Sequence, residues 1–166
     1  MADVTGSILD RTHDSEEPDP RCVLIAGATG AIGSAFCAQL AERFADAHLI
    51  RMARAPQSLE PLQNPTIDIR LDIAEEQDRR TAVADIPEGL AIDWALVATG
   101  WLHDSAHTPE KTYRNLDAEY LLHAYRINAV GPALLLKHLI SRLNPARACR
   151  VGIVSARVGS ISDNRL

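Results

Sequence analysis

Gly27, Gly30 and Gly33 follow the apolar run Val23-Leu24-Ile25-Ala26 in a G-x-x-G-x-x-G spacing. That pattern suits the binding of a diphosphate. Glycine permits a tight turn and lets the backbone come close to phosphate oxygens. A helix that follows presents its unpaired N–H groups and positive dipole end to the anion. Such a helix is expected here, because Phe36, Leu40 and Phe44 recur every four residues with Cys37 and Ala41 beside them, predicting one apolar face. The short, partly β-branched run before the glycines predicts a strand buried on both faces. A P-loop is excluded, since no Gly-Lys-Ser/Thr follows.

The other residues able to do chemistry stand where further strands are predicted to end. His48 to Ala53 forms a second strand whose tip is bracketed by Arg51 and Arg54, with no acid before Glu60. In a dinucleotide-binding fold an acid at this tip binds the free 2′-hydroxyl of NAD, whereas an arginine accommodates the 2′-phosphate of NADP. The residues therefore favour NADP(H) over NAD(H), with solvated surface arginines as the plainer alternative. Thr66 to Leu71 is a third strand, running into Asp72-Ile73 and a polar helix from Glu75 to Ala84. Asp72 either caps that helix or faces an adenine ring.

Ile92 to Ala98 is a fourth strand, ending in Ala98-Thr99-Gly100, and Arg150 to Val154 a fifth, leading to Ser155. Between them Asp117 to Leu143 has a helical apolar face, which Gly131-Pro132 should kink or split. Strands alternating with helices predict an α/β fold: a Rossmann-type doubly wound parallel sheet in three α/β/α layers. Ligands of such sheets bind beyond the carboxyl ends of the strands. Gly27 to Gly33, Arg54, Asp72, Thr99-Gly100 and Ser155 are thus expected to converge on one crevice.

At 166 residues, 46% hydrophobic and 23% charged, the chain has the composition of one globular domain. Its net charge of -5 gives no support for nucleic-acid or anionic-membrane binding through a general field. Cys22, Cys37 and Cys149 are odd in number and set in apolar runs, and read as reduced thiols with no metal site. No apolar run approaches the roughly 20 residues of a membrane span, and no signal peptide is recognisable, so a cytoplasmic protein is expected. Residues 1–20 are expected to form a disordered acidic leader, too polar to bury the apolar surface that ordering needs, and residues 21–166 a dinucleotide-binding domain that is incomplete at its carboxyl end.

The chain resembles the amino-terminal two-thirds of a short-chain dehydrogenase/reductase, closest to the branch of C-factor-like proteins and small carbonyl reductases. The carrying motifs are Gly27-Ala28-Thr29-Gly30-Ala31-Ile32-Gly33, Asp72, Ala98-Thr99-Gly100, Asn128-Ala129-Val130-Gly131-Pro132 and Val154-Ser155-Ala156. The resemblance implies that the glycine loop, with Thr29, Ala31 and Ile32, holds a cofactor pyrophosphate. It implies that Asp72 and Ile73 border the adenine, and that Ala98, Thr99 and Gly100 pass beside the nicotinamide-side ribose. Asn128 matches the helix asparagine that holds a water in a proton relay; a plainer role is an amide satisfying backbone groups at a helix kink. Ser155, or else Ser160, matches the serine that binds the substrate carbonyl. The implied activity is hydride transfer between NADP(H) and a small carbonyl or alcohol, in a homo-oligomer.

Three motifs depart from the family pattern. Ala31 stands where the middle glycine commonly is, Val97-Ala98 replace asparagines, and Ala156 holds the place of the second serine. The family's Tyr-x-x-x-Lys is absent: Tyr113, Tyr120 and Tyr125 precede the serine and none has a lysine four residues on. Two expectations result. Either the sequence is part of a longer reductase, or it is a truncated, non-catalytic nucleotide-binding or signalling protein. As given, it is expected to leave its fifth strand as a sheet edge with an uncovered apolar face and to self-associate.

Overall fold

A computed structural model describes residues 18–105 and 108–156. Five strands form one parallel sheet: β1 (Cys22–Ala26), β2 (His48–Ala53), β3 (Thr66–Arg70), β4 (Trp94–Val97) and β5 (Arg150–Ile153). Their spatial order is β3-β2-β1-β4-β5. Register places Leu24 between Ile50 and Ala95, so the first strand is the middle of the sheet. The order reverses direction between β1 and β4, and it is beyond that switch point that the carboxyl ends of a doubly wound sheet part to leave a crevice.

Alternation along the strands sends side chains to two faces. Leu24, Ala26, Ile50, Met52 and Val97 pack with Ala82 and Val83 of α2 (Glu76–Ala84) and with Leu135 and Leu139 of α4 (Gly131–Leu139). Val23, Ile25 and Leu49 pack with Cys37, Leu40 and Phe44 on the other face, along α1 (Ala31–Arg43). Both faces of β1 are therefore buried, as its unbroken apolar run requires.

Helix α1 differs from the sequence expectation in which stripe it buries. Gly33, Cys37 and Leu40 face the sheet, whereas Phe36 is 41% exposed. Four residues turn a helix through 400°, so the row Phe36-Leu40-Phe44 drifts about 40° per step. Phe44 and Leu40 stay on the sheet while Phe36 rotates off it.

The long helical stretch is split as expected, but by an intervening turn. Helix α3 (Ala118–Tyr125) passes into a π-helical turn, Arg126–Val130, and then into α4. The N–H of Gly131 bonds the carbonyl of Arg126 rather than that of Ile127, and Pro132 has no N–H to give Asn128. The carbonyls of Ile127 and Asn128 are thus left without their ordinary i+4 donors. Close packing explains the glycine at this junction, since a Cβ on Gly131 would lie 2.8 Å from the carbonyl oxygen of Ile73.

At the far end of the sheet Asp93, buried, gathers the chain. Its carboxylate accepts from the N–H groups of Arg21 at 2.6 Å and Cys22 at 3.3 Å, from Asn144 at 2.8 Å, and from the Arg147 guanidinium at 3.2 Å. Arg147 also donates to the carbonyls of Pro18 and Asp19. Cys22 and Cys37 are buried free thiols; Cys149 is half-buried in the turn before β5, its thiol donating to the carbonyls of Ile92 and Asn144. Strand β5 is a sheet edge among the described residues, with Val151 44% and Ile153 47% exposed. Most of the acidic leader, Ser160 and everything after Ala156 lie outside the described residues.

Candidate functional site

The turn after β1 is made by glycine for two separate reasons. Gly27 has φ +88°, and a Cβ there would also lie 2.9 Å from the backbone of Ala98 and Thr99. Gly33 is one helical turn further on, where a Cβ would lie 2.1 Å from the carbonyl oxygen of Gly27. Glycine at these positions lets β1, α1 and the end of β4 approach backbone to backbone. The turn is pinned to β2, with Gly27 and Ala28 both donating to the carbonyl of Met52 at 2.8 and 3.1 Å, and Gly30 donating to Gly27 at 3.0 Å.

Helix α1 starts at this turn with Gly30 as its N-cap. No side chain caps it and no acid stands in its first turn. Its first N–H groups and its positive dipole end therefore remain available to an anion.

Beyond the turn lies a crevice of about 160 Å³, lined by Gly27, Thr29 and Gly30 in the turn, by Arg54, Asp72 and Ile73 after β2 and β3, and by Ala98, Thr99 and Gly100 after β4. The structure thus brings together nine of the residues assigned to a nucleotide from sequence. Ala31 and Ile32, exposed, and Gly33, buried, stand on the first turn of α1 and are not among the lining residues. Ser155 is exposed after β5 and is not among the lining residues. Trp101, Ile127, Leu71 and Ala53 also line the crevice and carried no recognisable signal in the sequence.

The two arginines at the tip of β2 part company. Arg51 is 3% exposed; its guanidinium donates twice to Asp68, at 2.7 and 2.6 Å, and once to the carbonyl of Glu60 at 2.7 Å. Such a bidentate buried pair uses most of its five donors inside the fold. Arg54 is exposed at the crevice mouth, with its guanidinium open to solvent-borne anions.

Asp72 closes a turn: one carboxylate oxygen accepts from Ala74 at 3.0 Å, and its carbonyl accepts from Glu75 at 3.1 Å. The N-cap of α2 is Glu75, so Asp72 supports the approach to the helix and does not cap it. Thr99, one of the lining residues, has a buried hydroxyl with no hydrogen-bond partner among the described residues. A buried hydroxyl without a partner costs about 1–3 kcal/mol, which a ligand acceptor would recover.

Asn128 lies in the π-turn, and its side chain is already engaged. Its Oδ1 accepts from the Trp101 N–H at 2.8 Å and its Nδ2 donates to the Trp101 carbonyl at 2.7 Å. Of the tyrosines, Tyr120 is buried and its hydroxyl donates to the carbonyl of Leu102. Desolvation first, then the charges of Glu110 and Asp104, push that hydroxyl above the usual tyrosine range. This is opposite to the shift a proton donor needs near neutral pH. Among the described residues no cluster of His, Cys, Asp and Glu could hold a metal ion, and no helix is long and apolar enough to cross a membrane.

Residues 23–137 match the NAD dependent epimerase/dehydratase family. The chain belongs to that family, and its fold is the one shared by the short-chain dehydrogenase/reductases. A protein of Burkholderia multivorans assigned as a short-chain alcohol dehydrogenase superposes with TM-score 0.73 at 25% identity, over 90% of this chain and 67% of its own. A second B. multivorans protein, assigned as a short-chain dehydrogenase/reductase and solved with bound NADP, superposes with TM-score 0.75 at 22% identity, over 89% and 64%. The NADPH-bound carbonyl reductase from chicken fatty liver gives TM-score 0.74 at 19% identity, over 90% and 62%. The chain therefore spans between 62% and 67% of the length of these structures. No curated protein matches it.

Proposed function

We propose that the crevice binds NADP(H) in preference to NAD(H), and that the fold serves hydride transfer between this cofactor and a small carbonyl or alcohol. The observation that carries the reading is the uncapped start of α1, brought against the crevice by Gly27 and Gly33, where a Cβ would run into backbone. The N–H groups of Ala31 and Ile32 would hold the pyrophosphate, that of Gly30 being bonded to Gly27, with Gly33 allowing the approach. Arg54 would meet the 2′-phosphate, Asp72 and Ile73 the adenine, and the Thr99 hydroxyl a ribose oxygen between Ala98 and Gly100. The residues present fit such a cofactor: the partnerless Thr99 hydroxyl and the glycine cradle are both features that a bound dinucleotide would satisfy. When bound, the nicotinamide supplies the hydride chemistry.

The protein's own part is orientation and proton handling. Because the Asn128 amide is spent on Trp101, a relay water would be held by the carbonyls of Ile127 and Asn128 that the π-turn frees, not by the amide. Ser155 would present its hydroxyl to the substrate oxygen from the end of β5. Assembly into a homo-oligomer would cover the exposed residues of the β5 edge.

A second reading is nucleotide binding without turnover, and the sequence fact favouring it is that no tyrosine has a lysine four residues on. Titration with NADPH and NADH separates the outcomes. Tighter NADPH binding, with the preference lost in Arg54→Ala, supports the cofactor reading, and equal affinity for both refutes the preference. NADPH binding without carbonyl-dependent oxidation by this chain supports the second reading.

A further inference from the structure

The segment that follows β4 is fastened from two directions. A single amide, that of Asn128, closes both the N–H and the carbonyl of Trp101, at 2.8 and 2.7 Å. The indole is held as well, edge-on to His123 at 4.5 Å between centroids and tilted against Tyr120 at 4.9 Å. Helix α3, at the indole, and the π-turn, at the backbone, thus converge on one residue, which lines the crevice beside Thr99, Gly100 and Ile127.

Strand order fixes what lies at that end. Arg54 follows β2 and Asp72 follows β3, on one side of the glycine turn; Thr99 to Trp101 continue β4, on the other. A dinucleotide with its phosphates on the turn and its adenosine over β2 and β3 must send its other half past Thr99 toward Trp101. We propose that Trp101 is the wall against which the nicotinamide half packs, a specificity-determining residue for the ring end of the cofactor, and that Asn128 is the residue that positions it. This inference rests on the dinucleotide reading above.

The test compares NADP⁺ with 2′-phospho-ADP-ribose, which keeps the phosphates and adenosine but lacks the nicotinamide. Binding to the full chain is measured by calorimetry and by tryptophan emission. Oxidised cofactor is used because it does not absorb where indole emits, so quenching reports contact. The chain has two tryptophans, and Trp94 lies at the other end of β4, against Phe44 and under Arg150.

NADP⁺ is expected to quench the emission and 2′-phospho-ADP-ribose to leave it unchanged. Trp101→Ala should weaken NADP⁺ about fivefold, the size of one aromatic contact, with the fragment's affinity unaltered. Asn128→Ala should give the same split, together with a red-shifted emission in the unliganded protein. Trp101→Phe should keep most of the affinity and lose the quenching, and it serves if the alanine variants fold poorly. Quenching that persists in Trp101→Phe, or a Trp101→Ala effect equal for both ligands, overturns the inference. If both ligands bind wild type and Trp101→Ala changes neither affinity, the inference alone falls. Failure of both ligands to bind wild type removes the dinucleotide reading and this inference with it.

Discussion

Replacing Gly33 by alanine should damage both the fold and the crevice, and the structure sets the size of the effect. The added Cβ would lie 2.1 Å from the Gly27 carbonyl oxygen, 2.8 Å from the Gly27 carbonyl carbon and 3.1 Å from the Ala28 Cα. Real Cβ contacts essentially never fall below 3.0 Å, so α1 must retreat by about 0.9 Å. All three obstructing atoms are backbone, and no side-chain rotation relieves them. The oxygen that must move is also the acceptor for Gly30 at 3.0 Å. Overpacking of this kind costs roughly 1–3 kcal/mol, and disturbing that bond adds about 1 kcal/mol, giving a loss of about 2–4 kcal/mol.

Two controls isolate the cause. Gly30→Ala places its Cβ 3.3 Å from the same oxygen, a contact a few tenths of an ångström of movement can absorb. Gly89→Ala meets nothing within 4 Å but keeps a φ of +91°, so it should cost only the roughly 1–2 kcal/mol of left-handed strain. Urea unfolding of the three variants, followed by NADPH titration of those that remain folded, is the assay. Gly33→Ala should be the least stable and should lose binding, whereas Gly89→Ala should bind as wild type. A Gly33→Ala protein within 0.5 kcal/mol of wild type, or one that binds NADPH normally, would refute the close-approach argument.

Other expectations follow from groups away from the crevice. Asp93→Asn should lower stability by about 2–3 kcal/mol, because the amide cannot accept from every donor the carboxylate serves. Arg147→Ala should cost less, its side chain being 18% exposed against 3% for Asp93; urea melts rank the two, and the reverse order would be wrong for this hub. Burial, with a smaller contribution from Asp93, pushes the Cys22 thiol from 9.0 up to about 11. The folded state therefore keeps a proton that the unfolded chain loses. The stability Cys22 contributes is full below about pH 9 and disappears as pH rises to about 11, by on the order of 2–3 kcal/mol. Melts across that range should show the decline, and Cys22→Ala should flatten it. Buried Cys22 and Cys37 should also resist alkylation at pH 8 while the half-buried Cys149 reacts, as mass spectrometry of the alkylated peptides would show.

The parts legible in the sequence were those dictated by local chemistry. An unbroken apolar run, three spaced glycines and a following helix left one physical arrangement, and the turn has it. The strand ends carrying Arg54, Asp72 and Thr99 were placed by alternation of elements alone. What escaped were features decided by distant partners. Arg51 and Arg54 look equivalent in the chain, and only Asp68 across the strand pair and the Glu60 carbonyl distinguish them. Phe36 fits a four-residue row, yet the sheet selects the Gly33–Cys37–Leu40 stripe. Gly131-Pro132 signalled a break in the helix, but not that it would take the form of a π-turn aiming Asn128 at Trp101. Trp101 itself had no pattern to announce it, because its role depends on Asn128, Tyr120 and His123 meeting it in space.

The most direct test of the central claim is the affinity of the full chain for NADPH and for NADH, measured side by side by calorimetry. Saturable binding of both, tighter for NADPH and abolished by Gly33→Ala, is the predicted result. No binding of either nucleotide to a cooperatively folded protein would contradict it.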